Sequence, residues 1–291
     1  MYVIFTDTDT DMTPEIAAEY GYHLISMPFS VDGKTIYPYE DPDFLTYDSH
    51  AFYDTLRAGA LPTTSAISGE KYKEYFEPFF AAGQDILYVH FSAAMTATFD
   101  VMKIAVDELL AKYPERKFYS VDTRGITAIS LNIAEYIGDM YLAGKSPEEI
   151  VGWAKTEVDK FAMYFFADDL KFFRRSGRVS GLAATMGTLI GIRPIIYMSA
   201  EGKMVSVGKE KGRARALDRL LQYVDDLGDD VASHRIIVGH TDAPELAGEV
   251  ADRLREKYGD GLKLRIVPTN PTAGSHCGPN GVGITFHAIH R

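Results

Sequence analysis

The chain has 291 residues, 46% hydrophobic and 24% charged, the balance of a globular protein long enough for two domains. Its net charge of -11 repels phosphodiester backbones and anionic lipid surfaces, which argues against nucleic acid as a partner. The single cysteine, Cys277, excludes an intramolecular disulfide and suits a reducing cytoplasm. The opening residues MYVIFTDTDTD have no basic segment and turn acidic at once, so no signal peptide is expected, and no window is apolar for long enough to predict a transmembrane helix.

In chain order, Tyr2–Thr6 reads as a short buried strand, Pro14–Tyr20 as a helix and His23–Val31 as a second strand. Asp41–Ala60 reads as irregular and leads to a hydroxyl-rich loop, Leu61–Ser68. Ile86–Phe91 is a predicted strand, followed by the loop Ser92–Thr98 and an amphipathic helix to Lys112. Lys117–Val121 is the next strand, running through Asp122–Gly125 into a helix that ends at Leu142. Ser146-Pro-Glu-Glu149 is a helix start, with serine at the N-cap, proline at N1 and glutamate at N3. Repeated strand–loop–helix units up to Lys160 predict a parallel sheet with helices on both faces.

From Phe161 the pattern changes. Phe161–Ala167 reads as a strand and Pro194–Val207 as a hairpin turning at Glu201-Gly202. Between them, Arg174, Arg175 and Arg178 precede a charge-free run, and Val179–Ile192 is expected to be a glycine-notched apolar helix. The basic run Lys209, Lys211, Arg213, Arg215, Arg219 reads as a solvated helix face. Strands at Arg235–Gly239 and Leu262–Pro268 flank a helix over Pro244–Tyr258. A glycine-rich loop, Gly274–Gly281, leads to the last strand, Val282–Ile289. A hairpin among βα units predicts a mixed sheet with helices largely on one face. The expected architecture is therefore α/β in two domains, residues 1–160 and 161–291, with a ligand cleft between them.

Candidate chemistry gathers at strand ends. Asp7-Thr-Asp-Thr-Asp11 could hold a divalent metal, but Met12 stands where a calcium loop of the EF type needs glycine. Asp9-Thr-Asp-Met-Thr13 also fits the DxDxT motif of haloacid-dehalogenase phosphatases, although Asp7 occupies the strand end where that nucleophile belongs. The simpler reading is an acidic loop favoured by the dipole of the following helix. Thr63–Ser65, Ser92–Thr98 and Ser275–Cys277 each lie where ligands of α/β proteins gather. Together they would form a hydroxyl and imidazole cup suited to a carboxylate. No G-x-S-x-G nucleophile elbow is present.

These landmarks, in this order, resemble those of the DegV family of bacterial fatty-acid-binding proteins. A family D-S-x-S-D is similar to Asp7–Asp11, T-T-S-Q-P-S to Thr63–Ser68, S-S-x-L-S-G-T to Ser92–Thr98, and V-D-S to Val121–Thr123. G-G-R-I is similar to Ser176–Val179, I-K-P-I to Ile192–Ile195, and H-x-G-P-x-x-x-G-I-x-F to His276–Phe286. The resemblance implies two α/β domains enclosing a long-chain fatty acid whose carboxylate is held by Thr64 or Ser65, Ser92 and His276. It further implies a non-catalytic carrier, without metal or cofactor, that presents the acid to a fatty acid kinase. Arg178 and the stretch Lys211–Arg213 would then serve docking or phosphoryl transfer.

Ala66 and Ile67 replace Gln-Pro of the family pattern, and Ala93, Ala94 and Ala97 replace Ser, Gly and Gly, adding methyls expected near the carboxylate. Lys211 stands where arginine is expected, and lysine cannot make a bidentate contact. The alternative function is a metal-dependent phosphatase using Asp7–Asp11.

Overall fold

Local signals set many of the element ends. Thr13 caps the first helix by accepting from the Ile16 N–H at 3.3 Å, with Pro14 at its first position. Ser146 and Glu149 form the reciprocal capping box that their spacing predicts. The computed structural model describes residues 1–180 and 191–291. The first part of the chain forms β1 (Tyr2–Asp7), α1 (Pro14–Tyr20), β2 (Tyr22–Ile25), β3 (Phe29–Val31), β4 (Lys34–Ile36), α2 (Ser49–Arg57) and β5 (Thr63–Thr64). There follow α3 (Gly69–Ala81), β6 (Asp85–His90), α4 (Thr98–Lys112), β7 (Phe118–Asp122), α5 (Ala128–Leu142) and α6 (Pro147–Glu157). Next come β8 (Phe161–Phe166), α7 (Lys171–Ser176), β9 (Val179–Ser180), β10 (Ile192–Met198), β11 (Met204–Lys211) and α8 (Arg213–Leu227). The chain finishes with β12 (Arg235–His240), α9 (Pro244–Tyr258), β13 (Lys263–Pro268), α10 (Pro271–Cys277) and β14 (Val282–His287).

Four strands form a parallel sheet in the order β2-β1-β6-β7. Alternation along β1 and β6 sends Ile4, Leu87 and Val89 toward α1 and α5, and Val3, Phe5, Ile86 and Tyr88 toward α3 and α4. A mixed seven-stranded sheet, β13-β12-β14-β8-β10-β11-β9, takes all its strands from Phe161 onward. Along β8, Ala162, Tyr164 and Phe166 pack with α8 and α9, whereas Phe161 and Met163 face the core built on α5.

Helix α5 therefore lies between the two sheets. Ten of its residues are buried, from Ala128 to Gly138, because a helix sandwiched this way has no solvated face over that length. A Cβ on Gly138 would stand 2.5 Å from the Tyr20 ring, so only glycine allows α1 to approach here. Glu135, fully buried, is paired with Arg235 at 2.7 Å and Arg265 at 3.0 Å across the same seam. Arg291 adds a second tie. Its buried guanidinium donates to the carbonyls of Thr123 and Val158 and, by Nε, of Phe161, at 2.9–3.0 Å. Burial pushes its pKa down to about 10. Among the described residues no helix is long and apolar enough to cross a membrane.

Several expectations change. The strand predicted over His23–Val31 breaks at Ser26–Pro28, where proline has no N–H for a ladder. The Ser26 and Met27 N–H groups donate instead to the hydroxyls of Tyr75 and Thr8. Its second part joins a small antiparallel sheet, β4-β3-β5, that uses Thr63–Thr64 as an edge. The irregular stretch Asp41–Ala60 contains α2, capped by Asp48 and burying Phe52, Tyr53 and Leu56. Half of the glycine-rich loop is helical: α10 starts at Pro271 under an Asn270 cap and runs to Cys277. Val179 and Ser180 are not helical but pair with β11, and Ile192 opens β10; the rest of the expected apolar helix, 181–190, lies outside the described residues. Lys209 and Lys211 belong to β11, so only Arg213, Arg215 and Arg219 of the basic run share a helix.

Candidate functional site: a cavity at the seam

Where the sheets meet α5 and α10, side chains leave a cavity of about 1120 Å³, counting the open space at its mouth. Met27, Phe91 and Ile126 line it from the first part of the chain, and Met163, Phe165, Phe173, Met198 and Met204 from the second. The flexible methionines give a wall that can adjust to a slender apolar guest. Gly239, Gly281 and Gly283 leave the wall without side chains near the ends of β12 and β14.

One part of the wall is polar. The Thr64 hydroxyl lies 2.8 Å from His276 Nε2, a pair brought together across 212 residues by β5 and α10. Ser65 and Ala66 line the cavity beside them. Burial, then the charges of Arg178 and Arg175, push the His276 pKa down to about 4, so the imidazole is neutral at pH 7. Its Nδ1 is buried without a partner among the described residues. Arg175 donates to the Pro62 carbonyl and so ties α7 to the Thr63 loop. Arg178, expected at a partner-docking surface, is solvent-exposed yet also lines the cavity, and donates to the Ser176 carbonyl at 2.7 Å. The Arg178 guanidinium beside a neutral imidazole and a hydroxyl, with the charge of Arg175 nearby, forms a station for an anion.

Ser92 is placed differently from the other expected headgroup ligands. It is fully buried and does not line the cavity; its hydroxyl donates to the Gly202 carbonyl at 2.8 Å, joining the parallel sheet to the β10–β11 turn. A Cβ on Gly202 would stand 2.2 Å from Ser92 Oγ, and φ there is +75°, so this turn depends on glycine twice over. Ala93, Ala94 and Ala97 are exposed rather than set against the cavity, while Met95, Thr96 and Thr98 of the same segment line it. Ile67 is buried under the parallel sheet with Val3 and Tyr72.

Lys211 is exposed, opposite Ile192 in the ladder. Arg213 forks onto Asp168, with Nη2–Oδ2 at 2.7 Å, and Arg193 meets the same carboxylate. Burial alone would raise the Asp168 pKa, but the Arg213 hydrogen bonds and the Arg193 charge outweigh it and hold the carboxyl below its ordinary value.

The carboxylates of the acidic loop turn to different partners. Asp7 accepts from the Tyr88 hydroxyl at 2.9 Å and the Phe91 N–H at 3.2 Å, whereas Asp11 accepts from Asn270 N and Nδ2, both at 2.8 Å. Burial pushes both carboxyls up to about 7. Asp9 alone of the three lines the cavity. Among the described residues, the group with metal-ligand spacing is His50, Asp54 and Asp242, on the surface, where Arg57 already pairs with both aspartates. The phosphatase reading therefore finds no support.

Residues that sequence reasoning left out include His240 and Thr241 at the end of β12, and Thr272 on α10. Their strand-end position was the available signal for His240 and Thr241. Cys277 also lines the cavity, but burial raises its thiol to about 12, which makes it unreactive.

Fold and site together define an α/β protein whose parallel and mixed sheets flank a largely apolar cavity with one cationic, hydroxyl-bearing station. The model of the DegV family, described as an uncharacterised protein family, matches residues 1–288, and the chain belongs to that family. A DegV domain-containing protein of Clostridium perfringens is 32% identical over 98% of this chain and 97% of its own length. A DegV lipid binding protein from Thermotoga maritima has a similar structure, with a TM-score of 0.84, 21% identity and complete coverage of both chains. A DegV family protein from Eubacterium eligens, loaded with heptadecanoic acid, superimposes with a TM-score of 0.83 at 20% identity, over 99% of this chain and 100% of that one.

Proposed function

We propose that this protein binds one long-chain fatty acid in the seam cavity, carboxylate at Thr64–His276 and chain along the methionine-lined wall. The observation that carries the reading is the placing of Arg178, Thr64 and a partly buried, neutral His276 at one part of an otherwise mainly apolar cavity, with Arg175 near enough to lower the His276 pKa. Each methylene that leaves water contributes about 0.8 kcal/mol, so an acyl chain outweighs the ordering costs of binding. Ser65 supplies a second hydroxyl beside the headgroup, and Ser92 acts one layer behind it by holding the Gly202 turn. The 1–160 and 161–291 parts serve as two domains clamped on α5. The protein acts as a cytoplasmic carrier, not an enzyme, and needs no cofactor. Protein purified from a bacterial host is expected to release about one equivalent of fatty acid on denaturation, read by mass spectrometry, because burial of the chain favours retention. Absence of acyl lipid, together with no binding of added hexadecanoic acid, overturns the reading.

We further propose that the carried acid is presented to a fatty acid kinase for acyl-phosphate formation. What supports this is the family membership together with an exposed Arg178 next to the carboxylate station and an exposed Lys211. Arg213 is less available, since its guanidinium is engaged by Asp168. Arg178→Ala is therefore expected to lower both lipid affinity and kinase-coupled turnover. Lys211→Ala is expected to keep lipid occupancy while losing turnover when kinase and ATP are supplied. Full turnover in Lys211→Ala removes that residue from the docking surface.

A further inference from the structure

Two polar atoms of the cavity-lining residues are buried with no partner in the protein among the described residues: His276 Nδ1 and Asp9 Oδ1. Several other polar side chains on the wall are satisfied internally. The Thr98 hydroxyl pairs with Tyr72, Thr127 donates to the Ile126 carbonyl, Thr241 accepts from the Gly281 N–H, and His240 Nδ1 accepts from the Ala243 N–H. Thr272 gives its hydrogen to the Met27 carbonyl, so its oxygen can meet the Asp9 carboxyl beside it only as an acceptor, and Asp9 Oδ1 remains without a partner among the described residues. Native proteins seldom leave such a group unpaired without a use for it.

The two unpaired groups are related through α10. Thr272 and His276 are one helical turn apart on the same face, a separation of roughly 5–6 Å between Cβ atoms. Asp9 stands next to Thr272, which puts it about one turn of α10 away from His276. Resting on the fatty-acid reading, we infer that the cavity selects an acyl chain carrying a hydroxyl within its first few carbons, and that Asp9 holds that hydroxyl.

The chemistry of Asp9 fits this role. Burial, then the charges of Asp7 and Asp11, raise its pKa well above the ordinary carboxyl value and so favour the protonated form. A neutral carboxyl offers one O–H donor and a carbonyl acceptor, which match the acceptor and donor of an alcohol. An ionised carboxyl would instead repel the nearby carboxylate. An unsubstituted chain satisfies the carboxylate station but leaves Asp9 unpaired. Sites built to hydrogen-bond a hydroxyl discriminate against the analogue that lacks it.

The test compares hexadecanoic acid, 3-hydroxyhexadecanoic acid and 12-hydroxyhexadecanoic acid on the delipidated full-length protein by isothermal titration calorimetry at pH 7. The expected result is roughly ten-fold tighter binding of the 3-hydroxy acid than of the other two, the value of one net hydrogen bond. Asp9→Leu is expected to erase that preference while still binding hexadecanoic acid; Asp9→Ala serves if the leucine variant does not fold. Equal wild-type affinities for hexadecanoic and 3-hydroxyhexadecanoic acid overturn the inference and leave fatty-acid binding standing. A 3-hydroxy preference that survives in the Asp9 variant also overturns it. Failure of all three acids to bind wild-type protein means that the fatty-acid reading itself has failed, and this inference with it.

Discussion

Thr64→Val combined with His276→Ala is expected to weaken fatty-acid binding by roughly 10²- to 10⁴-fold, since each lost hydrogen bond to a charge is worth about 1.5–3 kcal/mol. The fold is expected to survive, because both side chains are only partly buried and their shared hydrogen bond faces the cavity. Thermal unfolding in the absence of lipid checks that assumption, and titration with hexadecanoic acid reads the affinity. Affinity within a few-fold of wild type would place the carboxylate elsewhere. The same imidazole sets a pH dependence. In the free protein His276 titrates at about 4, because burial and the two arginines disfavour its charged form. A bound carboxylate opposes both effects and raises that pKa, so binding takes up a proton and affinity increases as pH is lowered from 7 toward 5.5. His276→Gln is expected to flatten this slope.

The acidic loop is expected to make the folded state less stable as pH rises from 4 to 7. Burial raises Asp7 and Asp11 to about 7, far above the roughly 3.9 of an unfolded chain. Between those values the unfolded state has released protons that the folded state still holds, so each carboxyl's stabilising share is full below pH 4 and lost as pH climbs through 7. The loss is about 4 kcal/mol for each group, three pH units' worth. Asparagine at either position keeps an acceptor for Tyr88 and Phe91, or for Asn270. Urea unfolding of the Asp7→Asn, Asp11→Asn variant should therefore match wild type at pH 4 and exceed its stability by several kcal/mol at pH 8. His276 acts with opposite sign, since its depressed pKa costs stability only below about pH 6.5, which both proteins share and the comparison cancels. Parallel pH profiles for the two proteins would mean that these carboxyls are ionised in the fold.

An acidic repeat after a first strand invites a metal or phosphoryl reading, and here the folded chain separates its members. Asp7 turns to β6, Asp11 turns to the start of α10, and Asp9 remains on the cavity wall. Spacing along the chain put three carboxylates within five residues, but the turn after β1, with Asp11 at φ 58°, aims them at different partners. Ser92 shows the converse. Its place at a strand end was correctly recognised, yet the direction of its hydroxyl depends on a carbonyl 110 residues away.

From its sequence alone, this protein is legible as an α/β chain with a parallel sheet followed by a mixed one, with α1 and α9 bounded as they fold. Caps, prolines and strand alternation act within a few residues, so the physics that decides them is written locally. The ordered landmarks from Asp7 to Phe286 likewise belong to the sequence, and they carry the family. Only the tertiary structure decided that α5 is the shared middle layer, that Arg178 lines the cavity, that Ser92 stands behind it, and that Asp9 stands buried on its wall with a raised pKa. Each of those facts depends on desolvation or on a contact between distant segments. A residue's own type and its neighbours in the chain do not specify which distant backbone will remove it from water.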